Sequence, residues 1–75
     1  MSSYPPLAEI LVADMAARAA ADRHAAVAFQ GAPGAYSHQA VREAFPGAPP
    51  LPCASFEDAI AAVQDGRAGQ AVIPI

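Results

Sequence analysis

FQGAPGAYSHQA, residues 29–40, decides the fold. An apolar run stops at Gln30, two glycines and a proline fall within the next four positions, and helical spacing resumes only around Ser37 and His38. A plain connecting turn needs one glycine. A loop that brings bare backbone close to another group has reason to use more. Upstream, AAVAFQ carries the β-favouring Val27 and Phe29 and reads as a buried strand over 26–30. Downstream, a helix starting within 35–37 runs to about Phe45, with Ala40, Val41, Ala44 and Phe45 as its apolar stripe. FPGAPP then ends it, because proline cannot continue the hydrogen-bond ladder.

The second half repeats this plan. LPCA supplies a strand at 51–54, and Ser55 opens SFED, a capping-box pattern with Asp58 where Glu is usual. Phe56, Ala59, Ile60 and Val63 fall at i, i+3, i+4 and i+7, the spacing of a helix packed on a sheet. Gly66 is placed to close that helix as a left-handed cap. QAVIPI, 70–75, is a third strand whose pairing should end at Pro74. The order β-α-β-α-β implies an α/β fold of parallel strands joined by right-handed crossovers.

An N-terminal extension, 1–25, precedes this unit. Leu7, Ile10, Leu11 and Met15 share one face of a helix over 7–22, and Pro5 and Pro6 suit its first turn. Asp14 and Arg18 stand four apart in the favourable order. The segment reads either as a helix covering apolar surface or as a disordered extension. With the first strand beginning near Ala26, residues 1–24 are expected to be dispensable for the fold.

Composition excludes several partners. Four arginines, no lysine and a net charge of −3 leave no basic patch for nucleic acid. Apolar residues make up 55% of the chain, but half of them are the 21 alanines, which bury little area. A 75-residue domain buries only roughly 60% of its unfolded surface, so the core is thin. The single Cys53 rules out an internal disulfide and a cysteine metal cluster, and reads as a buried, inert thiol. His24 and His38 are too isolated to suggest a metal site. Glu9 and Asp14 interrupt any signal-peptide core, and nothing reaches the ~18 apolar residues of a membrane span. The chain reads as cytoplasmic.

The glycine turn fits no nucleotide fingerprint. G-x-G-x-x-G would need glycine at 33 and 36, where the chain has Pro33 and Tyr36, and no Gly-Lys-Ser/Thr follows for a P-loop. What survives is a strand-loop-helix anion site, in which first-turn N–H groups near 35–38 and the helix's positive end face a ligand. Gly34 lets the ligand approach the backbone, Ser37 can add a hydroxyl, and Tyr36 an aromatic wall. A carboxylate suits such a site as well as a phosphate. The alternative is that Ser37 merely caps the helix, and His38 is equally open between a solvated residue and a site residue.

VAFQGAPGAYSHQA resembles the opening strand and first loop of prephenate dehydratases, whose motif runs Gly-Pro-x-Gly-Thr/Ser-Phe/Tyr-Ser. CASFEDAIAAVQDGRAGQAVIPI is similar to that family's Ser-Phe-x-x-hydrophobic helix and following strand, which continues there into Pro-Val/Ile-Glu-Asn-Ser. The resemblance covers 26–75. Two departures are Ala32-Pro33 in the glycine motif and Ala35 where Thr or Ser is usual. It implies two α/β lobes like a type 2 periplasmic binding protein, with 26–75 as the N-terminal part of the domain. It further implies a cytoplasmic lyase of L-phenylalanine biosynthesis, converting prephenate to phenylpyruvate, water and carbon dioxide without metal or organic cofactor. The dicarboxylate substrate would meet Gly34, Ala35, Tyr36 and Ser37, and the full-length parent would be a homo-oligomer. No catalytic residue is implied within this chain: the family's proton donor, the threonine of a Thr-Arg-Phe motif, has no counterpart here. Arogenate dehydratase, which shares these motifs, and a non-catalytic lobe binding small anions are the rival readings.

Overall fold

Alternation along one short strand sorts the whole chain into two layers of helix. In the computed structural model, which describes residues 4–73, β1 (Val27–Gln30) turns Val27 and Phe29 to one side of the sheet and Ala28 to the other. The remaining elements are α1 (Pro6–Ala21), α2 (Tyr36–Ala44), β2 (Pro50–Cys53), α3 (Phe56–Gln64) and β3 (Gln70–Val72). The sheet order is β2-β1-β3, with both pairings parallel and Val27 opposite Pro50 and Gln70. The chain leaves β1 for one neighbour through α2, then crosses back to the other through α3.

Opposite directions of travel put the two crossover helices on opposite faces. Against α2, Val27, Phe29 and Val41 form one core, joined by Met15, Phe45, Ala48 and Val72. Phe29, Val27 and Val41 are the largest fully buried side chains, and each contributes about 1.5–3 kcal/mol. Against α3 lies a core of small residues, with Ala28, Leu51 and Cys53 from the sheet under Ala59 and Ala62.

Local chemistry sets the helix ends as the sequence implies. The Ser55 hydroxyl accepts from the Asp58 N–H at 3.1 Å, starting α3. Gly66 ends it in a Schellman motif, with Arg67 N–H on the Ala62 carbonyl at 2.8 Å and Gly66 N–H on that of Val63 at 3.2 Å. Pro6 stands at the first position of α1, where its missing N–H costs nothing. The Asp14–Arg18 pair forms at 3.1 Å but is largely exposed, worth no more than about 0.5 kcal/mol.

Strand boundaries shift by small, explicable amounts. β1 begins at Val27, because the Ala26 N–H turns back to Asp22. β2 takes in Pro50 and releases Ala54. Two prolines in a four-residue strand are tolerated because β2 is an edge. Val27 and Gly31 donate to the carbonyls of Pro49 and Cys53, so in the parallel ladder the amides of 51 and 53 face β1 and the proline nitrogens face away. The third strand, expected over 70–75, ends at Val72; Pro74 itself lies outside the described residues.

Two helix faces differ from expectation. On α1 the inward stripe is Val12, Met15, Ala16 and the fully buried Ala19, while Leu7 and Ile10 are 73% and 68% exposed. On α3, Ala59 and Ala62 meet the sheet, and Phe56, Ile60 and Val63 are partly exposed. In both helices an alanine stripe lets the axis come closer to the sheet than bulky side chains would, and that approach decides the face. α1 is therefore no loose extension: it packs along β2 and places Ala19 in the α3-side core. No helix among the described residues is long and apolar enough to cross a membrane.

Candidate functional site

Open α/β sheets bind ligands beyond the carboxyl ends of their strands, where the connections diverge to either side. In the order β2-β1-β3 that point is the end of β1, and residues 31–35 are the loop that leaves it.

Gly31 is held on three sides. Its N–H donates to the Cys53 carbonyl at 3.1 Å. Its Cα faces the Ser37 hydroxyl so closely that a Cβ would collide with it, and the Phe29 ring lies 3.6 Å from the same point. Its carbonyl accepts from the Tyr4 hydroxyl at 3.0 Å. With φ at +149°, only glycine meets both the conformation and the contact.

The loop then turns back on itself. Ala35 N–H donates to the Ala32 carbonyl at 3.1 Å, and Gly34 N–H donates to Nδ1 of His38 at 2.9 Å. The His38 ring stacks on Phe29, with centroids 5.5 Å apart and planes 10° from parallel. An accepting Nδ1 leaves the ring proton of the neutral imidazole on Nε2. Burial first, and the Arg42 charge second, lower the His38 pKa below its ordinary value. The imidazole thus ties the loop to the first turn of α2.

Ser37 does not cap the helix. The N-cap is Ala35, in extended conformation and with no side-chain hydrogen bond, while the Ser37 hydroxyl is turned under the loop against Gly31. Tyr36, at the first helical position, is 90% exposed. Gly34, with φ +86°, has no atom within 4 Å of where a Cβ would stand. The amides of Gly34 and Ala35 are engaged, whereas in the first turn of α2 those of Tyr36, Ser37 and His38 have no partner among the described residues. An alanine at the N-cap keeps them open. The four residues expected at the site are adjacent, but of their backbone N–H groups only those of Tyr36 and Ser37 are open, at the positive helix end, about half a charge.

Cys53 sits behind this loop as a structural thiol. It is buried, its Sγ donates to the Leu51 carbonyl at 3.6 Å, and burial pushes its pKa up despite the opposing pull of Arg67. A concavity of about 790 Å³ lies between α1, α2 and the connection from α2 to β2; it includes Met15, Arg18, Arg42 and Phe45 and reaches His38. It is an open groove extending from the His38 side chain to the start of β2. Two features of the loop escaped sequence reasoning. The His38–Gly34 bond had a signal in its four-residue spacing across a helix start. The Tyr4–Gly31 bond, spanning 27 positions, had none.

A family model described as prephenate dehydratase matches residues 27–75. Over 47 residues, 63% of this chain and 17% of the relative, the chain is 57% identical to a bifunctional N-acyl-homoserine lactone acylase/prephenate dehydratase of Komagataeibacter europaeus. It is 37% identical over 72 residues, 96% of the chain and 17% of the relative, to the chloroplastic arogenate dehydratase/prephenate dehydratase 6 of Arabidopsis thaliana. With arogenate dehydratase 1 of Petunia hybrida it shares 47% identity over 49 residues, 65% of the chain and 12% of the relative. The chain thus spans about a sixth of the length of its curated relatives, or less. No solved structure matches it.

Proposed function

Since the chain belongs to the prephenate dehydratase family, we propose that it carries the opening part of that enzyme's catalytic domain, with the start of α2 as the wall that receives a substrate carboxylate. One observation carries this reading: three open amides, at Tyr36, Ser37 and His38, stand at the carboxyl end of the central strand. The reaction breaks the ring C–O bond and the bond to the ring carboxylate. The departing hydroxyl leaves as water once protonated, the carboxylate leaves as carbon dioxide, and the electron pair completes the aromatic ring of phenylpyruvate. The protein has to hold two carboxylates and supply one proton. Residues 34–37 serve the first task. The proton donor belongs to the remainder of the domain, on the threonine of the family's Thr-Arg-Phe motif, and no cofactor takes part. In this reading 26–75 is the first part of a periplasmic-binding-like lobe, in a cytoplasmic, homo-oligomeric enzyme.

Arogenate is the second substrate to consider, because relatives in Petunia and Arabidopsis carry that name. It keeps the ring carboxylate and hydroxyl and differs in the side chain, which bears an amine instead of a keto group. Steady-state kinetics of the full-length protein on both substrates decides between them. Gly34→Val in the same protein tests the wall: a raised KM is expected, from backbone strain and a side chain in the ligand's path. Unchanged kcat and KM would remove residues 34–37 from the site. Binding of either acid without turnover would make the protein a carrier rather than a lyase.

A further inference from the structure

Tyr4 lies outside the residues that the family model matches, yet it reaches the glycine loop. Its hydroxyl donates to the Gly31 carbonyl at 3.0 Å, and its ring is half-buried at the carboxyl end of the sheet. Pro5, the next residue, is the N-cap of α1, and α1 is fixed through Ala19 in the core. The tyrosine is therefore presented by an anchored helix. Burial, and then the negative forms of Cys53 and Asp58, raise its pKa. The phenol accordingly stays protonated, and stays a donor, at neutral pH, where a carboxylate ligand is ionised.

What the bond controls follows from the rest of the loop. The Gly31 N–H is fixed by β2 and its Cα by Ser37, which leaves the carbonyl as the part free to swing. The next carbonyl, that of Ala32, holds the N–H of Ala35, and Ala35 is the N-cap of α2. A rotation of the peptide after Gly31 is passed through this turn to the amides of Tyr36, Ser37 and His38.

We propose that Tyr4 is a positioning residue for the carboxylate site: by clamping the Gly31 carbonyl, it sets the direction in which the first-turn amides of α2 face the ligand. This rests on the reading of that helix start as part of the substrate site. The test is Tyr4→Phe in the full-length protein, which keeps the ring and removes the hydroxyl. Loss of one hydrogen bond of this kind should raise KM for the carboxylate substrate about three- to tenfold. kcat and the thermal midpoint should stay close to the wild-type values. Where the wild type turns over prephenate or arogenate, KM decides. An unchanged KM overturns the proposal, and so does a fall in kcat and midpoint with no rise in KM, since that marks a merely structural contact. Gly34→Val in parallel keeps the two ideas apart: a silent Tyr4→Phe beside an impaired Gly34→Val removes only the clamp. If the wild type turns over neither acid, the functional reading fails and amide hydrogen exchange decides alone. Faster exchange across 31–37 in Tyr4→Phe supports the clamp, and unchanged exchange overturns it.

Discussion

Gly31→Ala should be the most costly small substitution in the loop, and its cost can be split in two. The first part is conformational. A φ of +149° is a region that residues with a Cβ avoid, at about 1–3 kcal/mol. The second part is steric. The new methyl would collide with the Ser37 hydroxyl, which the first turn of α2 holds in place, and overpacking of this kind costs about 1–3 kcal/mol. The two parts add to a central total of about 4 kcal/mol, which corresponds to a fall of roughly 16–32 °C in the thermal midpoint of a domain of 60–100 residues, the size class of this chain. Adding Ser37→Ala removes the colliding oxygen and leaves the backbone strained, so the double variant should recover the steric part, about 1–3 kcal/mol. Gly34→Ala is the control. Its φ is also positive, but nothing lies within 4 Å of its Cβ position, so it should lose only about 1–2 kcal/mol and gain nothing from Ser37→Ala. Thermal unfolding of the wild type, the three single variants and the two double variants completes both cycles. The reasoning fails if Gly31→Ala is no worse than Gly34→Ala, or if Ser37→Ala rescues both equally.

Other expectations concern His38 and α1. The folded-state pKa of His38 is lowered, so its neutral form contributes stability that is fully present above the unfolded-state pKa and is lost as pH falls through the folded value. The thermal midpoint of the wild type should therefore decline from about pH 7 to about pH 5 more steeply than that of His38→Gln. Parallel curves would show that the Gly34 bond does not depend on the imidazole's charge. On α1, Ala19→Glu puts a charge into the core and should cost several kcal/mol, about 3 or more. Leu7→Glu, on the exposed face, should stay within about 0.5 kcal/mol. If both are silent in thermal unfolding, α1 does not pack as described.

How far the sequence could be read depended on the range of each interaction. Ser55 and Gly66 act within four residues of themselves, so the ends of α3 were legible from residue type alone. The β-α-β-α-β order followed from the same punctuation. The helix faces did not, because α1 and α3 each carry a bulky apolar stripe and an alanine stripe. Hydropathy favours the first, while close approach to the sheet selects Ala19, Ala59 and Ala62. At the site, the glycines and the helix start were visible in the motif. The role of Ser37 was not, since its hydroxyl turns toward Gly31, six residues back, rather than toward its own helix amides. The grip of Tyr4 on Gly31 depends on where α1 docks, and no local pattern encodes that.

The central place of β1 also bears on how the protein is made. Phe29 lies opposite Val72, so the strand's second edge finds its partner about 43 residues after its own synthesis. At ribosomal rates of about 5–20 residues per second, that is a wait of roughly 2–9 s. Through that interval the nascent chain has β1, α2 and β2 available, and Gly31 can already reach the Cys53 carbonyl. The β3 side of β1 stays unpaired, an open edge beside the apolar Phe29. Only three residues, Gln70–Val72, then cover it. Of these three strands, the one that carries the ligand loop leaves the ribosome first and waits longest for its second neighbour.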